Sequence, residues 1–254
     1  MQYLKRFANA FLMSLGMFCA IPLPSHLWDE SSLNLVLPCL PLVGILLGTI
    51  WWGIARFLVF FGIHTMLTSA ILAVTPFLLT GFLHLDGYMD TSDAVLSRRP
   101  LEDKMRILKD PHIGAFAAIS LAVLFVLQFA SVYSIIDRKK GLMMLVFISV
   151  ISRCCASVSL LILKAMPQSS YAKMFGKDSH DIHKGFLIVT AIVSAATACM
   201  FCGPRGLAAV LITVLGFTCA MVNSYRRFRG VSGDLAGYSI VIGELCGLMT
   251  LAVL

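Results

Sequence analysis

Charge is what this sequence has least of. Only 13% of its 254 residues are Asp, Glu, Lys or Arg, about half the share of an ordinary soluble domain. With 59% hydrophobic residues and a mean hydropathy of +0.89, the composition excludes a water-soluble globular protein and predicts a chain immersed in lipid. Also missing is any Cys/His spacing suited to zinc. Most of the eight cysteines lie in apolar runs (Cys39, Cys199, Cys219, Cys246), where thiols pack as small hydrophobes. Cys154 and Cys155 are adjacent and so point to different faces of a helix, which predicts packing, not a disulfide. A net charge of +7 without a basic stripe and interleaved aromatics does not predict nucleic-acid binding.

What the chain does have is long apolar runs. A membrane-crossing helix needs about 20 apolar residues. The candidate spans are 39–61, 64–83, 114–136, 141–163, 185–202, 206–223 and 236–254. Gly203-Pro204-Arg205-Gly206 predicts a tight hairpin between the fifth and sixth. Lys5-Arg6 before the apolar stretch Phe7–Ala20 has the look of a signal peptide, but Ile21-Pro22-Leu23-Pro24 follows in place of a small-residue cleavage site. It reads as a retained interfacial helix ending at the prolines. The expected fold is therefore all-α: a polytopic integral-membrane helix bundle of about seven transmembrane helices, one domain over 1–254.

If the N-terminus and the loops 84–113, 164–184 and 224–235 share one side, that side carries fourteen of the 20 Lys and Arg. The other side carries Arg138, Lys139, Lys140 and Arg205, while Arg56 and Arg153 fall within spans. The basic side is expected to face the cytoplasm, and eleven of the 13 acids lie there too.

The most informative of these loops, 81–114, holds Asp86, Asp90 and Asp93, spaced four and three apart. On a helix they fall within roughly 60° of one another. Three carboxylates on one face beside lipid repel each other, an arrangement that a hard cation such as Mg²⁺, Mn²⁺ or Ca²⁺ relieves. The alternative is a solvated acidic loop. His84 projects from the opposite side of that helix. Beyond it, Pro100 and the stripe Leu101, Met105 and Leu108 predict a short amphipathic helix on the membrane surface, ending at Asp110-Pro111-His112-Ile113-Gly114.

A second polar loop, 225–237, contains Arg226, Arg227, Arg229, Gly230, Gly233 and Asp234. It can be read as a diphosphate clamp or as a positive-inside anchor with a turn. Glu244 lies ten residues after Asp234, about 15 Å down a helix. A carboxylate so deep in a span needs a partner, and Arg153, near the middle of the fourth span, is the candidate.

Together these residues resemble the cobalamin synthase family, the adenosylcobinamide-GDP ribazoletransferases. His84, Asp86, Gly87, Asp90 and Asp93 match its H-x-D-G-x-x-D-x-x-D signature; Lys109, Asp110, Ile113 and Gly114 match its Lys-Asp…Ile-Gly turn; Gly233, Asp234, Gly237 and Glu244 match its Gly-Asp-x-x-Gly…Glu pattern. Ala94, Pro111-His112 and Ile240-Val241 depart from the usual pattern. The resemblance implies a Mg²⁺-dependent phosphotransferase of the bacterial inner membrane, with its active site toward the cytoplasm. It joins adenosylcobinamide-GDP to α-ribazole, or its 5′-phosphate, with release of GMP. Asp86, Asp90 and Asp93 would hold the metal; Asp93, Asp90 and His84 would be catalytic, Asp93 as general base. Lys109, Asp110, Arg153, Arg226, Arg227, Arg229, Gly233, Asp234 and Glu244 would serve the substrates. Partners consistent with it are the bilayer, other cobalamin-assembly enzymes and a second copy of the chain. A transporter would instead concentrate polar groups at the midplane and show internal repeats. A phospholipid-type alcohol phosphotransferase would carry Ala-Arg after its first Asp-Gly and more acids downstream.

Overall fold

A computed structural model describes residues 2–21, 28–138, 141–167, 169 and 181–254. The expectations placed on Pro22–Pro24, Lys139, Lys140, Lys173 and Lys177 lie outside the described residues. The architecture is all-helical: α1 (Gln2–Phe18), a 3-10 turn (Glu30–Ser32), α2 (Leu33–Phe60), α3 (Thr65–Leu79), α4 (Leu83–Leu96), α5 (Leu101–Ile107), α6 (Ala115–Asp137), α7 (Met144–Ile162), α8 (Asp181–Phe228) and α9 (Gly233–Val253). Among the described residues the sole β feature is an isolated parallel bridge between Ala165 and Val231.

Five helical segments are long and apolar enough to cross a membrane: Glu30–Phe60, Ala115–Asp137, Met144–Ile162, Ile182–Phe228 and Gly233–Val253. The pair α3 and α4, bent by 92°, makes a sixth if taken as one broken span. The expected count of seven is not fixed by length and composition, because the 47-residue segment Ile182–Phe228 is longer than one crossing needs. Helix α8 is two helices joined across a kink at Gly203 (φ 63°, ψ −156°), where the sequence predicts a hairpin between the fifth and sixth runs. The bend there is sharp: a Cβ on Gly206 would run into the Ala198 carbonyl and lie 2.8 Å from Cys202 Cβ. In a straight helix residues 198 and 206 would be about 12 Å apart.

Two prolines inside helices explain why hydropathy alone misplaced boundaries. Pro41 has no N–H for the Leu37 carbonyl, and Pro76 none for that of Leu72. In a dry bundle those carbonyls need other donors. Ser157 Oγ of α7 donates to Leu37 O (2.8 Å), and Trp51 Nε1 of α2 donates to Leu72 O (2.9 Å). Helix α2 therefore runs through Pro38 and Pro41 from Leu33, six residues before the expected start. The packing of α2 on α7 is backbone-close, because a Cβ at Gly44 would stand 2.7 Å from Ser149 O and one at Gly48 2.6 Å from Val146 Cα.

The N-terminal segment is a helix, as expected, and packs on α2. Its Ala10, Met13, Leu15 and Phe18 are buried while Tyr3 and Leu4 are exposed. Asp29 secures the connection: it accepts from Ser31 N (3.0 Å), Ser32 Oγ (2.7 Å) and Asn9 Nδ2 (3.4 Å). Those hydrogen bonds, led by that of Ser32, pull its carboxyl down to about 2.

The loops assigned to one side do meet at one end of the bundle. Val231 N donates to Lys164 O (2.9 Å) and Met166 N to Val231 O (3.0 Å). Leu108 of the connection after α5 packs with Ala94, Val95, Met166, Phe228 and Leu235. Arg138, Gly141, Arg205 and Leu254 line a separate cavity, grouped as the charge pattern expects for the other end.

Candidate functional site

The site grows from the α3–α4 turn. Gly81 (φ 59°) and Phe82 (φ 63°) adopt the left-handed region, and their N–H groups return to Leu78 O (3.1 Å) and Phe77 O (2.8 Å). This closes α3 and turns α4 across the end of the bundle. Helix α4 then lies against α9 and α6. A Cβ on Gly87 would be 2.8 Å from Asp234 O and 2.9 Å from Asp234 Cα, so only glycine lets the two backbones meet there. Tyr88 stacks on Tyr238 (centroids 5.8 Å apart) and donates to Ser120 O (3.1 Å).

Asp86, Asp90 and Asp93 share one face of α4 and line a cavity of ≈ 320 Å³ with Lys109, Asp110, His112 and Gly114. Asp234 joins them from α9: Asp90 lies in electrostatic reach of Asp86, Asp234 and Asp93. The Asp93 carboxylate occupies the space a side chain at Gly114 would need, at the N-terminus of α6, where the helix dipole favours an anion. Asp110 accepts from His112 N (3.0 Å) and pairs with its Nδ1 (2.7 Å). These contacts, the backbone one foremost, hold its carboxyl below the usual range.

Asp86, Asp90 and Asp93 were expected to close on one ion, yet among the described residues no group of three His, Cys, Asp or Glu side chains is placed to hold a metal. The helix explains this. Seven residues of rise separate Asp86 from Asp93 by about 10 Å, and like charges push the carboxylates apart. The donor set still has the chemistry of a hard-cation site: Asp86, Asp90, Asp93 and Asp110 line the cavity, with His112 and Met89 beside them. Mg²⁺ is commonly held by one or two carboxylates, with waters and phosphate oxygens completing the octahedron. The residues fit that mode, not a closed three-carboxylate cage.

His84 projects from the opposite side of α4, as expected, into a second cavity of ≈ 280 Å³. Asp234, Gly233, Ser232 and Lys109 also line it. Leu108 and Lys109 belong to both cavities, so the two chambers flank α4 and share a rim. The expected diphosphate clamp is not assembled: Arg226, Arg227 and Arg229 are exposed and line neither cavity, and Arg227 Nε is engaged with Asn223 (2.9 Å). Arg153 and Glu244 pair as expected, buried between α7 and α9, with Ser152 Oγ also donating to Glu244 (2.8 Å). They line neither cavity. Sequence reasoning missed His112 and Ser232; the first stands in a turn whose departure from the family pattern hid it.

Fold and site together define a polytopic helical membrane protein with an acidic chamber at one end of its bundle. The family model for cobalamin-5-phosphate synthase matches residues 10–252, and the chain belongs to that family. It is similar to the adenosylcobinamide-GDP ribazoletransferases of Clostridium botulinum (strain Alaska E43 / Type E3), 35% identical over 97% of this chain and 98% of the relative, and Clostridium perfringens (strain SM101 / Type A), 34% identical over 99% and 100%. The protein of that name from Pseudomonas fluorescens (strain Pf0-1) is 31% identical over 84% of this chain and 85% of its own length. No solved structure matches.

Proposed function

We propose that the chain transfers the adenosylcobinamide phosphate moiety of adenosylcobinamide-GDP onto a ribose hydroxyl of α-ribazole or its 5′-phosphate. The hydroxyl oxygen bonds to the phosphorus on the corrinoid side, the P–O–P bridge breaks, and GMP departs with its electron pair. The observation that carries this reading is the coincidence of near-full-length similarity to ribazoletransferases with a carboxylate chamber beside a second, mostly apolar one.

Phosphoryl transfer depends on positioning and charge neutralisation. A Mg²⁺ ion held by Asp86 and Asp90 would supply Lewis-acid neutralisation of the diphosphate. Lys109, at the shared rim, offers a cation to the departing phosphate. In place of Asp93, whose carboxylate is turned against Gly114, we assign the hydroxyl proton to Asp234, which lines the second cavity and lies in reach of Asp86. We place the protein in the bacterial inner membrane with this end toward the cytoplasm, as the Lys and Arg distribution favours.

The test is purified protein in nanodiscs with adenosylcobinamide-GDP, α-ribazole and Mg²⁺. GMP and adenosylcobalamin are expected in equal amounts. A folded sample that releases no GMP removes the assignment.

A further inference from the structure

The second cavity has a composition that the transfer chemistry does not require. Phe18, Leu40, Leu160 and Ile240 wall it from four different helices, and its polar groups gather toward Asp234. His84 opens into it, is 6% exposed, and has no hydrogen-bond partner among the described residues. Its ring lines the cavity, where a ligand can meet it.

Resting on the function proposed above, we infer that this cavity is the subsite for the benzimidazole of α-ribazole, with His84 hydrogen-bonded to its free ring nitrogen and the ribose directed to Asp234. Volume and polarity both decide this. At ≈ 280 Å³ the cavity falls just under the about 300–1,000 Å³ range of small-molecule sites, a scale that suits one nucleoside base and is far too little for a corrinoid. Guanine would strand several donors and acceptors against the apolar walls. A dimethylbenzimidazole presents methyl-bearing edges and one acceptor nitrogen, which suits the apolar walls and the His84 imidazole, while the polar side chains Lys109, Ser169, Ser232 and Asp234 remain for the ribose. Asp234 lies within electrostatic reach of Asp86 across the rim, so a ribose at the cavity mouth stands where the diphosphate chamber begins.

The test uses the full chain in nanodiscs and two substitutions of opposite sense. Leu160→Phe fills the cavity and is expected to raise KM for α-ribazole about tenfold while leaving KM for adenosylcobinamide-GDP within twofold. Leu160→Ala enlarges it and is expected to improve use of a nucleoside with a larger naphthimidazole base relative to α-ribazole. Binding of α-ribazole alone, followed by benzimidazole fluorescence, separates this inference from the function. If the parent binds ribazole and Leu160→Phe weakens that binding, the subsite stands even without turnover. A parent that turns over normally, with Leu160→Phe changing neither ribazole KM nor ribazole binding, overturns the subsite and leaves the function intact. So does a selective rise in KM for the corrinoid substrate.

Discussion

Consider Glu244→Ala. The Arg153 and Glu244 side chains are 2% and 8% exposed, and the guanidinium also donates to Ser152 Oγ (3.0 Å) and Ser149 O (3.2 Å). Arg153 Nε already has no partner, so no reserve of hydrogen bonds exists to absorb the loss of the carboxylate. Removing Glu244 leaves a charge in a low-dielectric interior, which costs about 3–5 kcal/mol; at 1.4 kcal/mol per factor of ten this is roughly a 10²- to 10⁴-fold shift toward the unfolded form. Replacing both partners, Arg153→Met with Glu244→Leu, removes the desolvation cost with the attraction, and should return stability to within about 1 kcal/mol of the parent or above it. Equilibrium unfolding in mixed micelles measures all four species of the cycle. Because α7 and α9 also wall the second cavity through Ala156, Leu160, Ala236 and Ile240, the single variant should lose ribazole affinity as well. Glu244→Ala as stable as the parent, or a double variant as unstable as the single, would refute the buried-charge reasoning.

Asp90→Asn should lower GMP release by about 10³-fold or more while membrane insertion and thermal stability stay unchanged, since Asp90 lies between three other carboxylates; parent-like rates would remove it from the site. Chelation should abolish turnover and Mg²⁺ restore it, with Asp86→Asn raising the Mg²⁺ concentration needed for half-maximal rate; a rate indifferent to chelator contradicts the metal proposal. Gly87→Ala puts a methyl 2.8 Å from Asp234 O and should cost about 1–3 kcal/mol as overpacking does, together with activity, in unfolding and turnover measurements. Asp29, with its carboxyl lowered to about 2 from 3.8, contributes its hold on α1 above pH about 4 and loses it as pH falls toward 2; Trp28 fluorescence should report the release, and Asp29→Asn should abolish that transition.

Much of this molecule is written at the level of single residues, and the unread parts have specific causes. The face shared by Asp86, Asp90 and Asp93, the opposite placement of His84, and the Arg153–Glu244 pair all follow from helical periodicity and the cost of a lone charge in lipid. Each needed only one helix or one pair. What periodicity could not give was distance between helices. It stacked three carboxylates in angle and so suggested one ion between them, though the rise along α4 keeps their ends apart; the fourth carboxylate, Asp234, comes from a helix about 140 residues later, brought in by the missing side chain of Gly87. The arginines at 226 and 227, in the last turn of α8, and at 229, just past its end, carry the right charge for a diphosphate, yet all three are exposed. The start of α2 was misplaced for the same kind of reason, because the donors that rescue its proline-orphaned carbonyl belong to another helix.

That division has a chemical consequence. The residues a sequence can place, those on α4, sit on two opposite faces of one short helix, and each face opens into a different chamber. A transferase that must keep a polyanionic diphosphate and an apolar base apart until they react needs such a wall, with a gap where the hydroxyl can pass. Here Lys109 lines both chambers and Asp234 the second, one cation and one carboxylate from outside α4. Their opposite charges suit the two things that must happen at that point: an oxygen leaving with phosphate, and a proton leaving the nucleophile.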